Sequence, residues 1–404
     1  MLARIQRFVA WAERHHDAIL WALVAVELVI GIAYAAVLGS ELRYWDEREY
    51  MYLVSSLLEH HEYRFLDNLA FRPPLYPFVL AAARAVGAPV VALRVMNFGF
   101  LAGAMVLLDR IAREMSRPIA GTLAAGWVLL NPVMIYTAGT LYPQTLAGFL
   151  LLAVVWLVVR EPARPLYLTG LVFSLLVLDV PSFAPLLALL VLWVWRFRKR
   201  SIVRVALELS AGAAPLLVVW TLRNYAVLGH WTFVATNSGI NLLYGNNENA
   251  TPNSGVNADV SRYISAASGL GELGRDHYYR QAAFAWIEAN PASAVWLYFG
   301  KLLHYFSSND RLATASETSA KQTLVATLAY VPLQATLVGR LILARWRALK
   351  PIELLLFALY ACNAVLAAVF FTRVRLRVPV DFLVLPLLGA LAASLADRRP
   401  GGYG

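Results

Sequence analysis

An acid just beyond an apolar run is the first feature of this chain whose type and place could do chemistry. Ile19–Leu38 is apolar apart from Glu27, and soon after it stands Tyr44-Trp-Asp-Glu47. A carboxylate held at the edge of an apolar layer could take a proton from a hydroxyl. Asp46 also has a mechanical reading. Glu49 follows it by three residues, the spacing of a capping box, and such a cap is worth about 1 kcal/mol. Spacing alone leaves both readings open.

Other side chains compete for a chemical role. Glu27 lies within an apolar run, where an acid is a functional candidate by default. It is expected instead to snorkel or to pair with a neighbouring helix. His60-His61-Glu62 suggests a metal, but adjacent side chains on a helix point in different directions and no zinc-protease spacing is present. They are expected to be a solvated helix end. Cys362 is the single cysteine, so neither an intramolecular disulfide nor a cysteine metal cluster can form.

The elements around Asp46 follow from periodicity. Tyr50, Met51, Leu53, Val54, Leu57 and Leu58 recur at helical spacing, predicting an amphipathic helix over Glu47–Leu58 that lies on a surface. Arg72-Pro73-Pro74 then restarts the chain toward the next apolar element. The stretch Tyr44–Pro77 is therefore more than a spacer.

Composition identifies the solvent. Hydrophobic residues make up 60% of the 404 positions and charged residues 15%, with a mean hydropathy of +0.59. These values lie outside the usual range of soluble domains, and the apolar runs have bilayer-spanning length. The expected class is an all-α polytopic membrane protein of about ten spans. The runs are Ile19–Leu38, Val90–Ile111, Ile119–Ala138, Leu141–Val159, Leu166–Val180, Phe183–Trp195, Val203–Leu222, Leu324–Leu343, Ile352–Phe371 and Val378–Leu395. The net charge of +10 does not indicate nucleic acid, because the arginines are dispersed among loops.

Orientation follows from those arginines. Met1–His16 carries Arg4, Arg7 and Arg14 and is expected in the cytoplasm, in the manner of a retained signal anchor. Arg110–Arg117, Arg160–Arg164, Arg196–Arg204, Arg345–Lys350 and Arg398–Arg399 then fall on the same side. Tyr44–Ala88 and Asn224–Gln322 fall together on the outer side. Arg373, Arg375 and Arg377 are also outside, against the positive-inside bias, which calls for an anionic partner such as a phosphate or lipid headgroup.

Three regions result: an N-terminal membrane bundle, 1–223, with the first outer loop at 39–89; an outer region, 224–322; and C-terminal membrane helices, 323–404. Within the outer region Thr236–Thr251 is rich in turn formers, Glu272–Asn290 is expected to be helical up to Pro291, and Ala292–Phe306 suits a membrane-surface helix. Asn249-Ala-Thr251 matches a glycosylation sequon, a pattern common by chance.

WDEREYMYLVSSLLEH followed by RPPLYPFVLA resembles the first outer loop of the GT-C fold glycosyltransferases that use polyprenyl-phosphate sugars. This superfamily includes protein O-mannosyltransferases and lipid A aminoarabinose transferases. The likeness continues in WTLRNYAVLGHWTFVATNSGINLLYGNNENATP, RDHYYRQAAFAWIEANP and FTRVRLRVPVDFLVLPLLGALA, in the same order over nearly the whole chain. It implies a GT-C bundle with surface helices on its outer face. It also implies Asp46 as catalytic acid or base with Glu47 as its partner, and Arg72 and Arg375 near the donor phosphate. Two places depart from the family pattern: Leu141-Tyr-Pro-Gln144, where many relatives have an acid, and Leu178-Asp-Val-Pro181, where many have Thr-Arg-Pro.

The resemblance implies inverting sugar transfer at the outer face of a bacterial inner membrane. A lipid-linked phosphate needs positive charge, which Arg72, Arg373 and Arg375 can supply, while Asp46 takes the acceptor's proton. The partners would be the polyprenyl-phosphate sugar, membrane lipids and a glycan, lipid or protein acceptor. No cofactor follows, and a divalent metal is left open. The rival reading is a transporter or flippase of envelope lipids, with interrupted spans, internal repeats and charges near the midplane.

Overall fold

The computed structural model describes residues 2–160, 165–308 and 320–396, and among these the regular structure is helical, with only an isolated bridge between Phe65 and Asn68. The N-terminal helices are α1 (Leu2–Arg14), α2 (His16–Leu38), α3 (Trp45–Glu59), α4 (Leu75–Ala85), α5 (Val90–Met115), α6 (Pro118–Leu129) and α7 (Pro132–Gly139). Next come α8 (Gln144–Arg160), α9 (Tyr167–Asp179), α10 (Leu186–Arg198) and α11 (Ile202–Leu228). The outer region holds α12 (Ser238–Gly245), α13 (Ser261–Ala266), α14 (Glu272–Ala289) and α15 (Pro291–His304). The chain then runs through α16 (Ala320–Leu343), α17 (Pro351–Val369), α18 (Val374–Asp381) and α19 (Val384–Ala396).

The protein is an all-α, multi-pass membrane protein. Each of the ten apolar runs folds as helix, and fewer than the expected ten meet spanning length and composition. Six helices among the described residues are long and apolar enough to cross a bilayer. Two bent pairs, α6–α7 at 61° and α18–α19 at 55°, are apolar enough when taken together and bring the count to eight if each pair is one span. The remaining two runs form α8 and α9, only 17 and 13 residues long. The first bend has a local cause. Pro132 starts a new helix, and the Asn131 side chain accepts hydrogen bonds from the backbone N–H groups of Val133 and Met134 at 3.1 and 3.3 Å.

Helix α5 is central, packing on α2, α6, α8 and α19. A close backbone approach joins α9 to α11. A β-carbon at Gly170 would lie 2.1 Å from Leu209 O, and one at Gly212 would lie 2.0 Å from Tyr167 O. Small residues permit such approach where lipid supplies no hydrophobic drive between helices. Glu27 corrects another expectation. It is fully buried, and neither carboxylate oxygen has a hydrogen-bond partner, so it does not snorkel or pair.

The outer region docks on the first loop. Thr236 N donates to Ala70 O at 2.9 Å, and Glu272 accepts from the backbone N–H groups of Leu69 and Ala70 and from Thr236 Oγ1. The segment expected to be turns contains a helix, α12. Leu242 and Leu243 pack with Val260, Tyr279 and Ala283, and burial outweighs the turn propensity of the neighbouring Asn and Gly residues. Helices α14 and α15 occur where expected. Residues 161–164 of the Arg160–Arg164 loop, residues 309–319 of the outer region, and Arg398–Arg399 lie outside the described residues.

Candidate active site

Helix α3 begins at Trp45, with Tyr44 as its N-cap residue and Asp46 and Glu47 in its first turn. Asp46 is therefore not the cap. Glu47 reaches back instead, its Oε2 accepting from Arg43 N at 2.8 Å and Tyr44 N at 3.3 Å. Glu47 Oε1 meets Arg94 Nη1 at 2.8 Å and accepts from Leu141 N at 2.9 Å. Both side chains of this pair are 1% exposed. Arg94 also donates to the carbonyls of Gly39, Glu41 and Gly139. Glu47 and Arg94 thus bind together the exit of α2, the start of α3, the first turn of α5 and the end of α7. The expected catalytic partner Glu47 thus has both oxygens engaged by the framework.

The Asp46 carboxylate stays clear of that framework. Its Oδ1 lies 2.8 Å from Arg72 Nη2, and its Oδ2 lies 2.7 Å from Arg375 Nη1. Glu49 was expected to complete a cap on Asp46. It instead clasps Arg72, with Nε to Oε2 at 2.7 Å and a further contact from Nη2, while Trp45 Nε1 donates to Glu49 Oε1 at 2.5 Å. Two guanidinium groups draw the Asp46 carboxylate away from the helix end. Each also lies over an aromatic face, Arg72 over Tyr50 at 5.5 Å and Arg375 over Tyr142 at 5.0 Å.

The loop backbone is fixed as well. Tyr63 Oη donates to Arg72 O at 2.9 Å and to Pro73 O at 3.1 Å, and Arg223 Nη2 in α11 donates to Tyr63 O at 3.0 Å. Burial pushes the Asp46 carboxyl pKa up, but Arg375 and Arg72 outweigh it and hold the group below the usual carboxylate range. The same burial acts against the charge on Arg72, and Tyr50, Asp46 and Glu49 more than offset it. The site is thus a cluster of two carboxylates, Asp46 and Glu49, and two guanidinium groups, Arg72 and Arg375. Arg375 Nε is a buried donor with no acceptor.

The three late arginines separate. Arg375 reaches Asp46. Arg377 is 2% exposed and turns inward, lying 3.2 Å from Asp381 Oδ2 and donating to the carbonyls of Tyr305 and Ser307. Arg373 is the N-cap residue of α18 and packs over Gly255, where a β-carbon would lie 2.7 Å from its Nε. Sequence reasoning missed Glu49 as a clasp and Arg94 as an anchor. The signal for Arg94 was an arginine near the start of an apolar run.

Among the described residues no three His, Cys, Asp or Glu side chains group to hold a metal. The carboxylates of the cluster, Asp46 and Glu49, are both covered by guanidinium groups, a donor set suited to an anion. His60 caps the end of α3, and His61 follows with φ +56°, both exposed. Asn249 is engaged, its Nδ2 donating to Asp259 O at 2.8 Å. At the two departures from the family pattern, Gln144 and Asp179 are buried, with Gln144 Oε1 and both Asp179 oxygens unpartnered. No family model and no curated protein sequence matches this chain.

Proposed function

We propose that this protein is a membrane glycosyltransferase of GT-C type that moves a sugar from a polyprenyl-phosphate donor to a hydroxyl or amine, with inversion. The observation that carries the reading is the bracketing of Asp46 by Arg72 at 2.8 Å and Arg375 at 2.7 Å. The arginines come from distant parts of the chain and meet on one carboxylate. The donor phosphate is already a good leaving group, so it needs cationic stabilisation rather than an acid. Arg375 Nε, buried without an acceptor, is suited to one of its oxygens.

Asp46 is the base. Held ionised by the arginines, it is a weak base while they cover it. When the phosphate takes over their charge, the carboxylate recovers its basicity and accepts the proton of the attacking group. That group forms its bond to the anomeric carbon as the bond to the phosphate oxygen breaks, and the leaving phosphate keeps the electron pair. A single base with in-line attack inverts the anomeric centre. The reaction is assigned to the outer face of a bacterial inner membrane, with the N-terminus in the cytoplasm, because the basic loops follow that orientation.

The test is Asp46→Asn in vesicles supplied with lipid-linked sugars. The variant should insert normally and transfer no sugar. Transfer at the wild-type rate removes Asp46 as the base.

A transporter or flippase is favoured by one observation, the two bent helix pairs at 61° and 55°. That reading expects a lipid to change leaflets with no new glycosidic bond. Mass spectrometry of the acceptor after incubation separates the two.

A further inference from the structure

Lys301 lies on α15, apart from the cluster at Asp46, and is 1% exposed. Its ammonium lacks a carboxylate partner among the described residues. Nζ donates to Phe370 O at 2.8 Å and Gly245 O at 2.9 Å, with Asn246 Oδ1 at 3.3 Å and Val369 O at 3.5 Å. Gly245 is the last residue of α12, Val369 is the last of α17, and Phe370 is the C-cap residue of α17. Helix C-termini expose carbonyls with no partner within the helix and carry the negative end of the helix dipole, so a cation is favoured there. One ammonium serves two such ends.

The two ends are also pressed together. A β-carbon at Gly245 would lie 1.6 Å from Phe370 O, so only glycine allows this approach. One turn along the same face of α15, His304 Nδ1 lies 3.1 Å from Thr372 Oγ1. Helix α15 therefore grips residues 369–372 at two points. Arg373 caps α18 directly afterwards, and Arg375 follows in its first turn. Burial pushes the Lys301 ammonium down to about 7, and the carbonyl dipoles around it are what favours its charged form.

We propose that Lys301 is a positioning residue for Arg375: by capping α12 and α17 together it holds the Phe370–Thr372 turn from which α18 begins, and so sets the Arg375 guanidinium against Asp46. This rests on the sugar-transfer reading above. Lys301 itself touches neither Asp46 nor Arg72. Its influence passes through a short, fixed piece of backbone.

The experiment is a double-mutant cycle on the full-length chain in nanodiscs, with transfer from a polyprenyl-phosphate sugar as the assay. Lys301→Met should lower kcat/KM at least tenfold, and Lys301→Arg, which keeps the charge, should recover part of the loss. In an Arg375→Ala background the same Lys301→Met change should lower the residual activity less than twofold. A purely structural lysine would instead give the same fold-loss in both backgrounds, and that additive result overturns the proposal. If Lys301→Met does not accumulate as folded protein, the cycle is run with Lys301→Arg, with the same two outcomes. Additive losses with transfer intact remove the positioning role alone. A wild-type protein that transfers sugar from no lipid-linked donor removes the reaction and this role with it.

Discussion

Arg375 Nη1 stands 2.7 Å from Asp46 Oδ2, joining the first turn of α18 to the first turn of α3. The contact closes a ring, because Arg72 holds the other Asp46 oxygen at 2.8 Å and is clasped from behind by Glu49. Neither guanidinium could sit there without the other elements in place, since each is supported by an aromatic face and a fixed backbone.

Arg375→Ala and Arg72→Ala should both weaken use of the lipid-linked donor. A charge-assisted hydrogen bond lost without replacement costs about 1.5–3 kcal/mol, or roughly 10–100-fold in kcat/KM. Steady-state kinetics over a range of donor concentrations measure this. Unchanged donor kinetics in either variant exclude that arginine from the site.

The pH dependence of Asp46 follows from its partners. With its folded-state value depressed by Arg375 and Arg72, despite burial, Asp46 stabilises the protein above the unfolded value of about 3.9 and loses that contribution as pH falls through the lower folded value. In kcat/KM, which reports the free enzyme, transfer should therefore not decline between pH 7 and 5 through protonation of Asp46. In Arg375→Ala burial gains the upper hand, and the acid limb of the pH–rate profile should move upward. An acid limb at the same pH in both proteins shows that Arg375 does not govern Asp46.

Glu47→Ala should act on folding. It leaves Arg94 buried without its carboxylate, a loss of about 3–5 kcal/mol for a broken buried pair. A much lower thermal midpoint and reduced abundance in detergent are expected. A variant of normal stability with abolished transfer returns Glu47 to the catalytic residues.

Glu49→Gln should keep the fold and loosen Arg72, because the amide still accepts one hydrogen bond but carries no charge. Donor KM should rise about tenfold for a loss of roughly 1.4 kcal/mol, with less change in kcat. Equal and large losses in both parameters point to direct contact of Glu49 with the reacting groups.

Much of the fold was legible in the chain because its causes are local. Apolar runs announced each membrane helix, since every backbone polar group within a bilayer must be satisfied inside its own segment. Helical spacing after Trp45 foretold α3, and Pro291 marked the boundary of α14 and α15. The residue types at Asp46, Arg72 and Arg375 were likewise readable as an acid and two bases in unusual places. What could not be read was which carboxylate faced which cation. Asp46, Glu47 and Glu49 lie within one helical turn, and the three-residue spacing of a capping box fits Asp46 with Glu49 as readily as Tyr44 with Glu47. The assignment depended on Arg94 arriving from α5 to take Glu47, and on Arg72 and Arg375 arriving to take Asp46 and Glu49. Ion pairing between distant segments is a property of three-dimensional proximity, so only the tertiary structure decided it.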